Sequence, residues 1–286
     1  DRITAYMVQE GSTALVLFEQ GLLDLVRIPP LEIRRYTERP EYLRQPLLRG
    51  YYYGFNVRKP PFDDVRVRRA FALAIDRSQF PALLRGGEQP ESSWIPPGMP
   101  DANPELGLRF DPEQARALLR EAGIDPAQLA PVKIVYNSDQ THKLVAEKVQ
   151  AFWRDNLGVR VEVENREWKV YLKELSTDPP AVFRMGWGAD FPDPDNFMNL
   201  FTSESENNHT GWGNRDYDAL VARAAREADP AERQRLYDRA QRILCEEDVP
   251  IVPLFVTAAN FAVQPRVRDF RPSPMDLFFF EQVRAE

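Results

Sequence analysis

The feature that most constrains this chain is a strand, a helix and a strand joined by very short connections between residues 132 and 163. Residues 132–136 are mostly apolar and rich in β-branched side chains, and residues 141–157 place Leu144, Val145, Val149, Phe152 and Trp153 on one side at helical spacing. After Gly158, the valines 159, 161 and 163 alternate with polar residues, the period of a half-buried strand. Two strands separated by one helix with such short joints are expected to lie parallel, with a right-handed crossover between them. That points to a mixed α/β architecture.

The other segments fit that class. Residues 3–8 read as a strand, 13–21 as a helix closed by a glycine, and 23–28 as a second strand before Pro29 and Pro30. An aromatic strand over 51–56 leads to a helix in which Val67, Ala70, Phe71, Ala74 and Ile75 recur at helical spacing. Asp63 or Asp64 is its N-cap, and Arg66, Arg68 and Arg69 are assigned to its wet face. Residues 86–104 form a long Pro- and Gly-rich loop, of the kind that is often functional. Asp111, Pro112 and Gln114 give the next helix its N-cap, first-turn proline and capping-box residue, and Gly123 stops it. Helices are expected over 168–175, 195–201 and 216–228, and a long one capped by Asp229 runs through Cys245. Strands are expected over 181–187, 251–255 and 261–263.

Composition removes several classes of function. The 286 residues, 43% hydrophobic and 11% aromatic, suffice for one large or two modest cores. A net charge of −7 with interspersed signs argues against nucleic acid as a partner, since that footprint needs a concentrated basic face. No apolar run approaches the roughly 18 residues that cross a bilayer. The single cysteine, Cys245, excludes an internal disulfide and reads as a small buried side chain. Two histidines and one cysteine cannot supply a zinc site of ordinary spacing, so no metal and no cofactor is expected. No nucleophile, base and orienting group occur together, which points away from an enzyme. The chain opens on Asp1 without an initiator Met or an export signal, so its natural start is expected upstream.

The densest signal lies between residues 183 and 197. A strand carrying Arg184 and Met185 ends in Gly186-Trp187-Gly188, followed by Ala189-Asp190 and then by Pro192 and Pro194, which forbid further regular pairing. The glycines would let another main chain lie alongside, and a carboxylate at the strand's end could hold an ammonium; an extended peptide added as a strand meets both conditions. Two other readings stay open. Asp190, Asp193 and Asp195 serve equally well as turn and cap residues, with Trp187 in the core, whereas a calcium loop lacks the alternate-residue ligand spacing. Arg184, on an otherwise apolar strand, needs a buried acid, a ligand carboxylate or an exposed face. His142 at a helix start and Trp168 after a strand sit at edges where a cleft could form, although each is as readily structural.

At these residues the chain resembles the family 5 solute-binding proteins of ABC importers. The resemblance is carried by Tyr51-Tyr52-Tyr53-Gly54-Phe55-Asn56, Lys59-Pro60-Pro61-Phe62-Asp63-Asp64, Gly186-Trp187-Gly188-Ala189-Asp190, Tyr136-Asn137 with His142, Glu167-Trp168-Lys169, and Val249-Pro250-Ile251-Val252-Pro253. It implies a periplasmic-binding-protein-like (type II) two-lobed fold, with one complete lobe and part of the other present here. Residues 1–49 and 258–286 would belong to the first lobe and 50–257 to the second. It further implies capture of an oligopeptide ligand, delivery to the membrane subunits of an ABC importer, a periplasmic or lipoprotein location, and a monomer. By the same resemblance Asp190 meets the peptide's α-ammonium, and the strand at Met185, Gly186, Trp187 and Gly188 bonds its backbone. Arg184 lies near its far end, His142 serves the carboxylate of longer peptides, and Tyr52, Asn137, Trp168 and Trp187 line pockets. Relatives carry an arginine where this chain has Leu175, which leaves peptide length open. The rivals are the same fold with another solute, such as a dipeptide, glutathione, a sugar or a metal chelate, and the sensor domain of a transcription regulator.

Overall fold

The structure, a computed structural model, describes residues 2–286. In chain order the strands are β1 (Leu25–Arg27), β2 (Tyr42–Phe55), β3 (Gln89–Pro90), β4 (Val132–Asn137), β5 (Val161–Arg166), β6 (Val182–Gly188), β7 (Ile251–Val263), β8 (Val267–Arg268) and β9 (Arg284–Ala285). The α-helices are α1 (Gly11–Glu19), α2 (Ile33–Tyr36), α3 (Val65–Leu73), α4 (Phe80–Leu84), α5 (Pro112–Glu121), α6 (Gln140–Leu157), α7 (Trp168–Thr177), α8 (Asp195–Met198), α9 (Arg215–Ala224) and α10 (Pro230–Arg242). One seven-stranded sheet runs β1-β7-β2-β6-β4-β5, with β3 pairing β7 beside that path, and β8 pairs β9 apart from it.

The expected crossover forms: β4 pairs β5 in parallel from Val132↔Val161 to Asn137↔Arg166, with α6 between them in sequence. Its start is set where the sequence places it, because the Asp139 side chain accepts the N–H of His142, and Gly158 closes the helix at φ +74°. Asp64 caps α3 and Asp111 caps α5, the latter taking the N–H groups of Glu113 and Gln114. Between β6 and β2 the pairing is antiparallel, from Arg49↔Gly188 to Phe55↔Val182.

Alternation along β2 feeds two cores. Tyr51, Tyr53 and Phe55 face a layer built from α3, α5 and α6, with Phe71 and Trp153, while Tyr52 faces Trp94, Phe183, Phe201 and Leu244 on the other side. Each large side chain fully buried in this way contributes about 2 to 3 kcal/mol. Gly54 is required by that packing, since a Cβ there would lie 2.2 Å from the Phe183 ring.

Four expectations are corrected. Residues 3–8 form no strand; Ile3, Tyr6 and Met7 are exposed, and no strand among the described residues pairs with the segment. β2 begins at Tyr42 rather than 51, because pairing with β7 carries it through Arg44, Gln45 and Pro46, up to a register shift between Pro46 and Gly50. The two returning strands are one, β7, since Ala258, Ala259 and Asn260 pair with Pro46, Gln45 and Arg44 of β2. Arg68 is not on a wet face: its guanidinium is buried and donates to the carbonyl oxygens of Phe62, Asp63 and Asp248. Cys245 is buried, and burial pushes its thiol well above the ordinary range. The long loop is also largely interior. Trp94 is buried there, its indole N–H donating to the Phe197 carbonyl, and the Gln241 side chain accepts the N–H groups of Trp94 and Ile95.

Candidate functional site

Three mutually parallel strands, β4, β5 and β6, end on one side of the molecule, at Asn137, Arg166 and Gly188. The chain leaves them into the start of α6 with His142, the start of α7 with Trp168, and the turn carrying Asp190. Crevices beyond the carboxyl ends of parallel strands are where open α/β sheets bind ligands. The expected site residues other than Tyr52, scattered from 137 to 190, are gathered there by topology.

β6 is paired with β4 only at Val182 and Phe183, whereas its other edge follows β2 to Gly188. Tyr171 of α7 fills the point of divergence, its hydroxyl lying 3.2 Å from the carbonyl oxygen of Val135 and 2.5 Å from that of Arg184. Beyond it, residues 185–188 present one edge without a neighbouring strand. The glycines there differ in cause. A Cβ on Gly186 would meet the Gly50 carbonyl oxygen at 2.9 Å, so β2 itself demands a glycine, while a Cβ on Gly188 would meet only the flexible Arg49 side chain at 3.1 Å.

Asp190 sits just past that edge. It is exposed and makes no ion pair among the described residues. Its neighbours are occupied otherwise: Asp193 accepts the N–H of Asp195 at 2.9 Å and is held by Arg233 at 2.7 Å, and Asp195 accepts from the Asn199 side chain. Burial raises the pKa of Asp195. The turn-and-cap reading therefore describes Asp193 and Asp195, while Asp190 is left free to meet a cation.

At the opposite end, Arg184 lies 4.5 Å over the Tyr51 ring and donates to Asn137 Oδ1 at 3.2 Å. It has no carboxylate partner among the described residues, and its Nε is buried without an acceptor. His142 stands beside it, Nδ1 3.4 Å from the Tyr51 hydroxyl. Burial first, and the Arg184 charge second, push its pKa down to about 3, so the ring is neutral at ordinary pH. An uncompensated guanidinium next to a neutral imidazole has the chemistry to hold an anion.

The remaining expected residues divide. Trp168 is 45% exposed, with Tyr171 behind it, and Trp187 and Met185 are half-buried. Tyr52 is fully buried, edge-on to Trp94 and Phe201, so it backs the site from the core. Leu175 is buried in the same core and adds no charge. Sequence reasoning passed over Tyr51, Asn196 and Arg233, which hold Arg184, Trp187 and Asp193. The one signal for Asn196 was a polar residue directly before the apolar pair Phe197-Met198. A separate groove of about 760 Å³ is lined by residues such as Pro61, Phe62, Lys133, Glu164 and Ala181, and none of the expected site residues lines it.

The mixed sheet and its flanking helices have the periplasmic-binding-protein-like fold of solved peptide-binding proteins, such as the murein tripeptide binding protein MppA of Escherichia coli, matched with TM-score 0.84 at 28% identity over 96% of this chain and 56% of that one. The chain belongs to the bacterial extracellular solute-binding proteins, family 5, whose middle-region model matches residues 1–209. It is 32% identical over 269 residues to the oligopeptide-binding protein OppA of Bacillus subtilis, covering 89% of this chain and 49% of that protein. It is 32% identical to the periplasmic OppA of Salmonella typhimurium over 99% of this chain and 54% of the relative. A solved structure of Haemophilus influenzae OppA in complex with RPPGFSPFR superposes with TM-score 0.84 at 29% identity, over 96% of this chain and 56% of that one. The chain thus spans about half the length of the relatives it matches.

Proposed function

We propose that this chain is the peptide-gripping part of the solute-binding component of a peptide ABC importer, taking short peptides in extended form. The observation that carries this reading is the unpaired edge of residues 185–188, with the free carboxylate of Asp190 beyond one end and the unneutralised Arg184 at the other. A peptide laid along that edge with its ammonium at Asp190 runs antiparallel to β6 and brings later residues toward Arg184 and His142. Main-chain bonding fixes register without reading side chains, and bridging waters at about 0 to 2 kcal/mol each let the pockets accept varied residues. The names of the relatives, oligopeptide-binding and periplasmic, support a peptide ligand and an extracytoplasmic place.

The assignment of 50–257 to the gripping lobe, and of the flanks 1–49 and 258–286 to the other, is supported by the division of the cores. The two large clusters lie almost wholly within 48–255, and two small ones draw on residues 15–47 and 259–262. Binding is non-catalytic and is completed when the two lobes of a monomer close over the ligand, the closed form being what the importer's membrane subunits recognise.

Mass spectrometry of molecules that co-purify with the full-length protein tests the ligand class: peptides with free amino ends are expected, and sugars, bile acids or metal chelates overturn it. Asp190→Asn tests the anchor. Calorimetry is expected to show a loss of about 3 to 5 kcal/mol in peptide affinity, with the thermal midpoint of the unliganded protein little changed. Equal affinity removes Asp190 from the site.

A further inference from the structure

Asn196 is buried, 6% exposed, in the first turn of α8, and so is in no position to touch a ligand itself. Its Oδ1 nevertheless accepts two hydrogen bonds from residues that face the crevice, one from the Trp187 indole Nε1 at 2.9 Å and one from the Asp190 backbone N–H at 3.1 Å. An amide oxygen has two lone pairs, and both are used here. The Trp187 ring and the Asp190 backbone are therefore tied to a single atom, and the Asp190 carboxylate hangs from that backbone by one methylene. The turn is gripped from behind as well, Asp193 by Arg233 at 2.7 Å and Arg233 in turn by Asp101 at 3.1 Å.

We infer that Asn196 is a positioning residue that aims the Asp190 carboxylate at the ligand's α-ammonium and, through the same oxygen, sets the indole wall beside it. This rests on the reading of Asp190 as the ammonium anchor. A carboxylate on an otherwise exposed turn would sample several directions; one fixed N–H pins the backbone it hangs from and leaves only two side-chain torsions to settle when the ligand arrives, which is where affinity from preorganisation originates.

The test is calorimetry on the full-length protein with a tetrapeptide and its N-acetylated twin. In the wild type the free-amino peptide binds much more tightly, and that ratio reads the anchor alone. Asn196→Ala is expected to shrink the ratio by roughly tenfold, about the worth of one hydrogen bond to a charged group's support, and to shift Trp187 fluorescence. Asn196→Asp keeps an accepting oxygen in place and is expected to retain the ratio. If Asn196→Ala does not fold, Asn196→Ser, whose hydroxyl stops short of both donors, is read in the same way. An unchanged ratio with both affinities lowered equally makes Asn196 merely structural and overturns the inference. A wild-type ratio near one overturns the Asp190 anchor instead, and leaves nothing to aim.

Discussion

Arg184 is held in the fold at a cost that nothing within the described residues repays, since its charge has one neutral amide, one aromatic face and no acid. Arg184→Met is accordingly expected to leave the thermal midpoint unchanged or raised, while peptide affinity falls by about 2 kcal/mol or more, a split read by thermal unfolding and calorimetry on the same preparations. His142 gives a second test at this scale. Folded, it stays neutral down to about pH 3, whereas an unfolded histidine takes up its proton near 6.5. Between those values the unfolded state binds the extra proton, so stability is full above 6.5 and declines as pH is lowered through the window, by at most about 1.4 kcal/mol per pH unit. His209, also shifted down by burial, acts in the same direction. Urea unfolding at several pH values should show this slope, and His142→Gln should flatten it; an unaltered slope would place the protonation elsewhere.

Elements were legible in the sequence wherever a local signal fixed them. Asp111 with Pro112, and Gly123 and Gly158 after α5 and α6, set helix ends by side-chain and backbone chemistry acting over three or four residues. What was not legible depends on partners far along the chain. β2 extends back to Tyr42 and β7 runs unbroken through Ala258 only because each is the other's neighbour, more than 200 residues away. Arg68 is interior because the Phe62, Asp63 and Asp248 carbonyl oxygens converge on it, the last of them 180 residues distant. At the site, Asp190 and its glycine-flanked strand were visible in sequence, but the departure of β4 from β6 after Phe183, which opens the edge, was not. The tight contact between β2 and β6 gives the prediction at this scale. Gly54→Ala puts a methyl 2.2 Å from the Phe183 ring, in the wall between the two cores, and should destabilise by about 1 to 3 kcal/mol in denaturant unfolding. Asp111→Ala, a pure capping loss, should cost about 1 kcal/mol.

For the whole molecule, the division proposed at residues 49 and 257 falls where only two strands cross, β2 and β7, and where their register slips between Pro46 and Gly50. Leu48 occupies that slip. Its N–H donates to the Pro274 carbonyl at 2.7 Å, and its own carbonyl accepts the N–H of Ala189 at 2.8 Å, next to the proposed anchor. Bending at the slip would therefore move the Asp190 turn and the returning segment together, a direct mechanical route between ligand capture and lobe closure. On one side of the slip, large aromatic cores surround β4, β6 and the second half of β2; on the other, β1 and the first half of β2 lean on a few residues such as Leu15, Phe18, Ile33 and Tyr36. Local stability follows buried apolar contact, so the two sides should open with different free energies. Hydrogen exchange of residues 1–286 should find the amides of β1 and of residues 42–45 exchanging at least about tenfold faster than those of β4, β6 and residues 51–55. Addition of a binding peptide should slow exchange at 48–50 and 186–190 together. Uniform protection across the slip would mean that the chain is one cooperative body and that the boundaries lie elsewhere, while slowing at 186–190 alone would uncouple the anchor from the hinge.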